Sequence, residues 1–371
     1  MSKASTRQFE FTVKTDPDTG ARVTRLSPLD TACHRTYFYQ KCFSNDGNRL
    51  VFGARSGSEW HYHLLDLQTR VATQLTDQPG ENTFGGFLSP DDRFLYFVRA
   101  ERELIRLELA TLKEECVYTV PSDWVGYGTW VANSACTKMV GIEILGTDWF
   151  PLTDWKKFGE MFHSKPRCRL IRIDLATGAR TVIHEEKLWL GHPQYRPFDD
   201  NTVAFCHEGT HDLIDARMWF VNEDGTNLRC GKEHEPAESC THEFWVPDGS
   251  AMVYVSLQHG EPGSPRRICR LPAMPDQGIE QQLPRRAGKA TVARGQRITT
   301  HLLRQILKPD PPAFTHRTGI AQHLAKLAQV ARPAIQQQRL QCIIRQAEVK
   351  TRAISATSGK PNFYPLHSQF Q

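Results

Sequence analysis

Short β-rich runs that follow polar turns recur along the first 268 residues of the chain. Three copies are clear, each with Asp beside Gly or Pro in the turn: Phe43–Phe52, Phe87–Phe97 and Phe244–Tyr254. Weaker copies occupy Trp130–Val140 and Tyr195–Phe205. Such turn residues bend the chain, and a β-rich run after the bend indicates a strand. The pattern predicts a series of turns that each lead into a strand.

A second strand that ends in an acidic turn follows these copies, as in Ile171–Gly178 and Trp219–Gly225, and Thr181–Ile183 supplies a third strand behind it. Sets of short strands about every 40 to 50 residues are typical of β-propeller blades, which bury their faces against neighbouring blades. The sequence therefore predicts an all-β fold, a β-propeller in residues 1–267 with about five recognisable blades. A generic β-sandwich is the alternative.

The composition changes sharply after about residue 267. All eight Trp residues lie at or before Trp245, and residues 271–371 hold 15 Lys and Arg against four acidic residues in a chain of net charge +5. Residues 268–371 are therefore predicted to form a separate, divergent basic tail. Its apolar residues have helical spacing in Ile298–Lys308, Ala321–Ala331 and Ala334–Gln346.

A basic helical tail raises the alternative of a nucleic-acid-binding protein that contacts phosphates. No aromatic residues are interleaved with the basic ones, and no nucleic-acid partner is expected. Residues Met1–Gln8 lack the apolar run of a secretory signal, and no stretch approaches the roughly 18 apolar residues of a membrane span. Ten cysteines without a Cys-x-x-Cys pair favour a reduced, cytoplasmic protein without a membrane partner.

Clusters of His, Arg and aromatic residues on the connections are the candidate site, because propeller loops converge on a central channel. Aromatic rings stack on sugar faces, and Arg binds a carboxylate through two parallel hydrogen bonds. The chemistry of the clusters therefore indicates an acidic sugar as ligand. They lie in Cys33–Gln40, Gly126–Trp130, Gly191–Arg196, Cys206–Gly209, Asp215–Trp219 and Ser239–Trp245.

These clusters resemble the oligogalacturonate (oligogalacturonide) lyases, cytoplasmic seven-bladed β-propeller enzymes of bacterial pectin degradation. The resemblance covers about residues 8–267 and rests on the segments Cys33–Phe43, Asn82–Phe87, Gly126–Ser134, Leu190–Asp200, Phe205–Gly209, Asp212–Trp219 and Ser239–Trp245. It implies β-elimination on a short oligogalacturonide such as digalacturonate, in which a base removes the C5 proton and the 4-O-glycosidic oxygen leaves. A divalent metal, typically Mn²⁺, neutralises the uronate carboxylate in these lyases.

The resemblance also implies roles for individual residues. His242 corresponds to the base of the family, and Arg217 to its active-site partner, which holds the carboxylate and helps to keep the imidazole neutral. Six further residues are expected around the substrate: His34, Arg35, Tyr39, Trp130, His192 and His207.

The chain departs from the family in its last third. The metal ligands of the family, three His and a Gln, lie in motifs that do not occur here, so no residue of this chain is predicted as a metal ligand. We therefore expect an incomplete, truncated propeller whose lyase activity is impaired, and a reading frame that changes near residue 268 is the hypothesis for the cause. The alternative function is a non-catalytic propeller that binds an acidic sugar or a protein partner.

Overall fold

The computed structural model describes residues 2–260 and 266–273. Within these residues the chain is almost entirely antiparallel β-structure with one helix, so the all-β prediction is confirmed for them. The predicted tail helices and the hypothesis of a changed reading frame concern residues that lie almost wholly outside the described part. The predicted boundary at residue 267 falls within the last described strand.

Five sheets of three to five strands follow one another along the chain. The first sheet consists of β1 (Thr6–Gln8), β4 (Cys33–Arg35), β5 (Arg49–Ser56), β6 (Glu59–Asp66) and β7 (Val71–Gln74), in the spatial order β1-β7-β6-β5-β4. A hairpin of β2 (Thr12–Thr15) and β3 (Arg22–Arg25) lies between β1 and β4 in the chain. The second sheet consists of β8 (Phe87–Leu88), β9 (Phe94–Arg99), β10 (Glu103–Glu108) and β11 (Glu114–Thr119).

In the second to fifth sheets the spatial order of the strands follows their order in the chain. The third consists of β12 (Trp124–Ala132), β13 (Lys138–Leu145), β14 (Arg167–Asp174) and β15 (Arg180–Lys187). The fourth consists of β16 (Leu190–Tyr195), β17 (Thr202–His207), β18 (Met218–Asn222) and β19 (Arg229–Lys232). The fifth consists of β20 (Glu238–Trp245), β21 (Ala251–Gln258) and β22 (Arg266–Pro272).

All five copies of the turn pattern lie between an edge strand of a sheet and the strand beside it: β4–β5, β8–β9, β12–β13, β16–β17 and β20–β21. Each contains a residue in the left-handed region of backbone space, which explains why short polar residues and Gly recur there. These residues are Gly47 (φ 74°), Asp92 (φ 59°), Cys136 (φ 54°), Phe198 (φ 60°) and Gly249 (φ 68°).

Successive sheets pack face to face through alternating strand residues. In β13, Val140, Ile142 and Ile144 contact residues of the fourth sheet, whereas Met139 belongs to the apolar cluster shared with the second sheet. Side chains of a strand point alternately to its two faces, so one strand serves two neighbours. Smaller clusters join the first sheet to the second and the fourth to the fifth.

One helix, α1 (Trp155–Ser164), interrupts the connection between β13 and β14. The Asp154 carboxylate accepts a hydrogen bond from the backbone N of Lys157 and so caps the first turn. Met161 is buried, and the rings of Phe158 and Phe162 pack on Trp189, just before β16. The helix thus covers the entry to the fourth sheet. None of the described helical residues forms a span long and apolar enough to cross a membrane.

Candidate active site

Three successive sheets carry a β-bulge in their first strand. The pairing register shifts between Tyr127 and Val131 in β12, between Gly191 and Gln194 in β16, and between Thr241 and Phe244 in β20. Each bulge contains a residue with positive φ: Gly128 (71°), His192 (50°) and His242 (57°). Bulges redirect side chains, and a non-glycine residue held at positive φ is strained backbone that often accompanies function. Two predicted site residues, His192 and His242, therefore occupy corresponding places in neighbouring sheets.

Arg217, just before β18, is enclosed between two carboxylates. Its Nε and Nη2 donate to the two oxygens of Glu243 at 2.9 and 3.2 Å, and its Nη1 donates to Oε2 of Glu208 at 2.9 Å. Only 6% of Arg217 and 3% of Glu243 are exposed. All three nitrogens of the guanidinium thus already have a carboxylate partner from the chain itself.

A second set of hydrogen bonds continues from Glu208 to the first and third sheets. Oε1 of Glu208 lies 3.0 Å from Nε2 of His192, and Nδ1 of His192 lies 3.2 Å from the hydroxyl of Tyr39. The Tyr39 hydroxyl also bonds with that of Thr129. We call Glu243, Arg217, Glu208, His192 and Tyr39 the polar network. It unites three predicted site residues, Arg217, His192 and Tyr39.

The electrostatics of the polar network follow from burial and from the guanidinium. Burial opposes ionisation of Glu208, but Arg217 and the hydrogen bond with His192 outweigh it and hold the pKa of this carboxyl well below its usual range. The pKa of Glu243 is lowered against its burial in the same way, mainly by Arg217. Burial, and then Tyr37, raise the pKa of Tyr39. Both carboxyls are therefore ionised and Tyr39 keeps its proton near neutral pH.

His242 lies beside the polar network and is separated from Tyr39 by the ring of Phe38. Its imidazole is 5.9 Å, centroid to centroid, from the ring of Phe38, which is also 5.7 Å from that of Phe244. Phe38 in turn lies 5.0 Å from the ring of Tyr39. Residues 37–39, which lie between β4 and β5 of the first sheet, thus reach side chains of the fourth and fifth sheets. His242 is half-buried at this junction.

His34 and Arg35, predicted near the substrate, lie on β4 in the first sheet. The His34 ring stacks on Phe84 at 3.8 Å, and its two nitrogens bond with the carbonyl of Arg35 and the hydroxyl of Thr83 at 2.9 Å each. Burial lowers the pKa of His34. The described contacts of His34 join the first sheet to the segment before β8 and do not include the polar network.

Trp130 and His207 also lie away from the polar network. Trp130 is 2% exposed within the core between the second and third sheets, and a Cβ added to Gly141 would lie 2.5 Å from its ring. His207 bonds with Glu186 at 2.7 Å and stacks on Trp219. Neighbouring strand residues face opposite sides, so Cys206 points towards the network and His207 away from it. A substrate contact for Trp130 and His207 stays a prediction that their surroundings do not support.

One group of described residues, His192, Cys206 and Glu243, brings potential metal-ligand atoms within 4.8 Å of one another. The group does not suit manganese. Both oxygens of Glu243 accept from Arg217, and burial raises the pKa of the Cys206 thiol well above its ordinary value. A protonated thiol is a poor partner for a cation that prefers oxygen and imidazole ligands. The described residues therefore offer no fitting set of manganese ligands at the polar network.

Glu208, Glu243 and Phe38 were not predicted as site residues. Both glutamates directly follow a histidine in the segments given above, and this position is the feature of the sequence that could have identified them. Their importance depends on Arg217, which is 9 residues from Glu208 and 26 from Glu243 in the chain. The sequence alone does not show that these residues, separated along the chain, lie next to each other in the folded protein.

Comparisons with known proteins give consistent results. A family model described as oligogalacturonate lyase matches residues 1–277. The chain is 63% identical over 269 residues to an oligogalacturonate lyase of Dickeya dadantii, covering 72% of this chain and 69% of that protein. It is 64% identical over 256 residues to an oligogalacturonide lyase of Pectobacterium atrosepticum, covering 69% and 66%. The chain thus spans about two thirds of the length of these curated relatives.

Solved structures agree with the sequence matches. The structure of an oligogalacturonate lyase in complex with manganese is 60% identical with a TM-score of 0.69, covering 74% of this chain and 76% of that one. The structure of an oligogalacturonate lyase from Vibrio parahaemolyticus is 55% identical with a TM-score of 0.68, covering 73% and 71%.

Proposed function

The chain belongs to the oligogalacturonate lyase family, and from this premise we propose that it cleaves short oligogalacturonides such as digalacturonate by β-elimination. The electron pair of the C5–H bond forms the C4–C5 double bond, and the C4–O4 bond breaks. The proton passes to a base and the departing oxygen gains a proton, so no water is consumed. A group that removes the C5 proton and a positive environment near the uronate are what the reaction requires of the protein.

We assign the base to His242. A neutral imidazole accepts a proton near physiological pH, and the bulge in β20 holds His242 apart from the regular pairing of its strand. The observation that carries the proposal is the juxtaposition of this histidine with the buried polar network across the single ring of Phe38. Reactive and ion-paired groups that converge on one junction of otherwise apolar sheets are typical of an active site.

Arg217 contributes to this site in a different way from the expected clamp. Its nitrogens are engaged by Glu208 and Glu243, and the three groups together carry one negative charge. Attraction of a uronate carboxylate therefore requires a further cation. A divalent metal such as manganese would supply this positive charge when bound, although the polar network itself offers no fitting set of ligands for it. Arg217 then holds the two carboxylates in place and limits their repulsion of the substrate.

We further propose that the five sheets are blades of a propeller. The lyase region, expected to end at residue 267, extends through β22 (Arg266–Pro272), and the distinct tail follows this strand. The sequential face-to-face packing of the sheets supports the blade interpretation. The nine cysteines in the described part of the chain are free, which supports a reducing compartment such as the cytoplasm.

Ultraviolet detection of the new double bond tests the proposal directly. The purified chain is incubated with digalacturonate with and without added manganese, and binding is measured in parallel by calorimetry. Metal-dependent growth of the absorbance supports a lyase. Binding without absorbance at any manganese concentration refutes it and supports the alternative, a non-catalytic protein that binds acidic sugars.

A further inference from the structure

We propose that Glu208 is a positioning residue that joins Arg217 to His192 and fixes the proton of His192 on Nε2. The expected effect of Glu208 on the reaction rests on the proposed function, whereas the expected tautomer of His192 does not depend on it. Glu208 is outside the roles implied by the family resemblance. It is the one member of the polar network that contacts both the guanidinium and the imidazole.

The contacts determine which nitrogen of His192 carries the proton. Oε2 of Glu208 accepts from Arg217 at 2.9 Å, and Oε1 lies 3.0 Å from Nε2 of His192. An ionised carboxylate only accepts hydrogen bonds, so Nε2 must donate. In the neutral ring Nδ1 is then an acceptor, and the Tyr39 hydroxyl, 3.2 Å away, donates to it. The Thr129 hydroxyl completes the series by donating to the Tyr39 oxygen.

The backbone of His192 is constrained, so the orientation of its ring depends on its side-chain partner Glu208. His192 lies at φ 50° in the bulge of β16 and precedes Pro193, whose ring restricts the chain further. The main chain thus fixes the position of the Cα and Cβ atoms of His192, and Glu208 fixes the orientation and the tautomer of its ring. Because Tyr39 bonds to the far side of the same ring, two groups expected around the substrate depend on one carboxylate.

Substitution of Glu208 by Gln gives a sharp test. The amide keeps one acceptor, which satisfies Arg217, and turns an NH₂ group towards Nε2 of His192. Nε2 must then accept, and the proton moves to Nδ1. We expect ¹⁵N NMR of histidine-labelled protein to show His192 as the Nε2–H tautomer in the wild type and as the Nδ1–H tautomer in Glu208→Gln. The value of kcat/KM should fall about 10- to 100-fold, the range for residues that orient a functional histidine.

Glu223→Gln is the matched control. The Glu223 side chain is 12% exposed against 11% for Glu208, and it accepts from Lys138 and Arg172 at 2.7 Å each, away from the polar network. This variant should leave the His192 tautomer and KM unchanged. Loss of folded protein alone would lower kcat in proportion to the folded fraction, whereas a misplaced ring also raises KM in Glu208→Gln.

The outcomes separate the inference from the proposed function. An Nδ1–H tautomer in the wild type, or an unchanged tautomer in folded Glu208→Gln, overturns the positioning role. Tyr39→Phe should keep the Nε2–H tautomer because Glu208 remains, and this variant decides the matter if Glu208→Gln fails to fold. Unchanged kcat and KM in Glu208→Gln overturn its part in the reaction. A wild-type chain without turnover refutes the lyase proposal, while the NMR result still decides the positioning role.

Discussion

Replacement of Arg217 by Met should destabilise the fold strongly at neutral pH and much less at acidic pH. The substitution preserves most of the side-chain volume but leaves Glu208 and Glu243 facing each other without their guanidinium. Removal of one partner from a buried ion pair typically costs about 3 to 5 kcal/mol. Because Glu208 keeps its bond with His192, we expect about 3 kcal/mol, near the lower end of that range.

The pH dependence follows from the direction of the pKa shifts. In the wild type both carboxyls have lowered pKa values, so their stabilisation is present above the unfolded value of about 4.3 and is lost as pH falls through the folded values. Without Arg217, burial and mutual repulsion raise the folded pKa values above the unfolded one. Protonation then stabilises the folded variant as pH falls. The stability gap between wild type and variant should therefore narrow between pH 7 and pH 5.

Urea unfolding followed by Trp fluorescence at both pH values measures the gap. Arg172→Met is the control, since the Arg172 side chain is 30% exposed beside Glu223 and such pairs contribute only about 0 to 1 kcal/mol. The triple variant Arg217→Met, Glu208→Gln, Glu243→Gln should recover most of the loss, because no buried charge remains. Equal losses at pH 7 and pH 5, or no recovery in the triple variant, would refute the electrostatic account of the network.

Three further predictions concern other parts of the molecule. His242→Asn, chosen because Asn tolerates the φ of 57° better than Ala does, should lower turnover of digalacturonate by about 10²- to 10⁴-fold with little change in calorimetric affinity; unchanged turnover would exclude His242 as the base. Gly141→Ala should lower stability by about 1 to 3 kcal/mol in urea titrations, because its Cβ would lie 2.5 Å from the Trp130 ring. Asp154→Ala should cost about 1 kcal/mol through loss of the bond to Lys157 N, and an unchanged midpoint would show that α1 needs no cap.

The sequence predicted the strands well because their signals are local. Every copy of the turn pattern joins an edge strand of a sheet to the strand beside it, and the residue with positive φ lies within the predicted turn. The sequence did not predict that β1 pairs with β7, since this pairing joins residues more than 60 positions apart. It also did not predict α1, although Phe158, Met161 and Phe162 have helical spacing after the capping Asp154.

The candidate site could be predicted only in part. Arg217, His192 and Tyr39 converge in the structure because the fourth sheet and the connection between β4 and β5 of the first sheet meet at this place. Trp130 and His207 share the same composition signal but face interiors between sheets, since strand alternation decides direction and the sequence does not show which face is buried. The types of residue identified the right segments of the sequence. Only the contacts in the structure distinguish the residues of the core from those of the candidate site.

Phe38 links two sheets that are far apart in the order of the chain. Packing between neighbouring sheets alone would let each end loosen independently, as in a row of repeats. Phe38 lies between β4 and β5 of the first sheet yet contacts His242 and Phe244 of the fifth, so the first and last described sheets share an aromatic contact. Loosening at either end therefore changes the surroundings of the imidazole. The proposed role of His242 as the base therefore depends on the first and fifth sheets being held together.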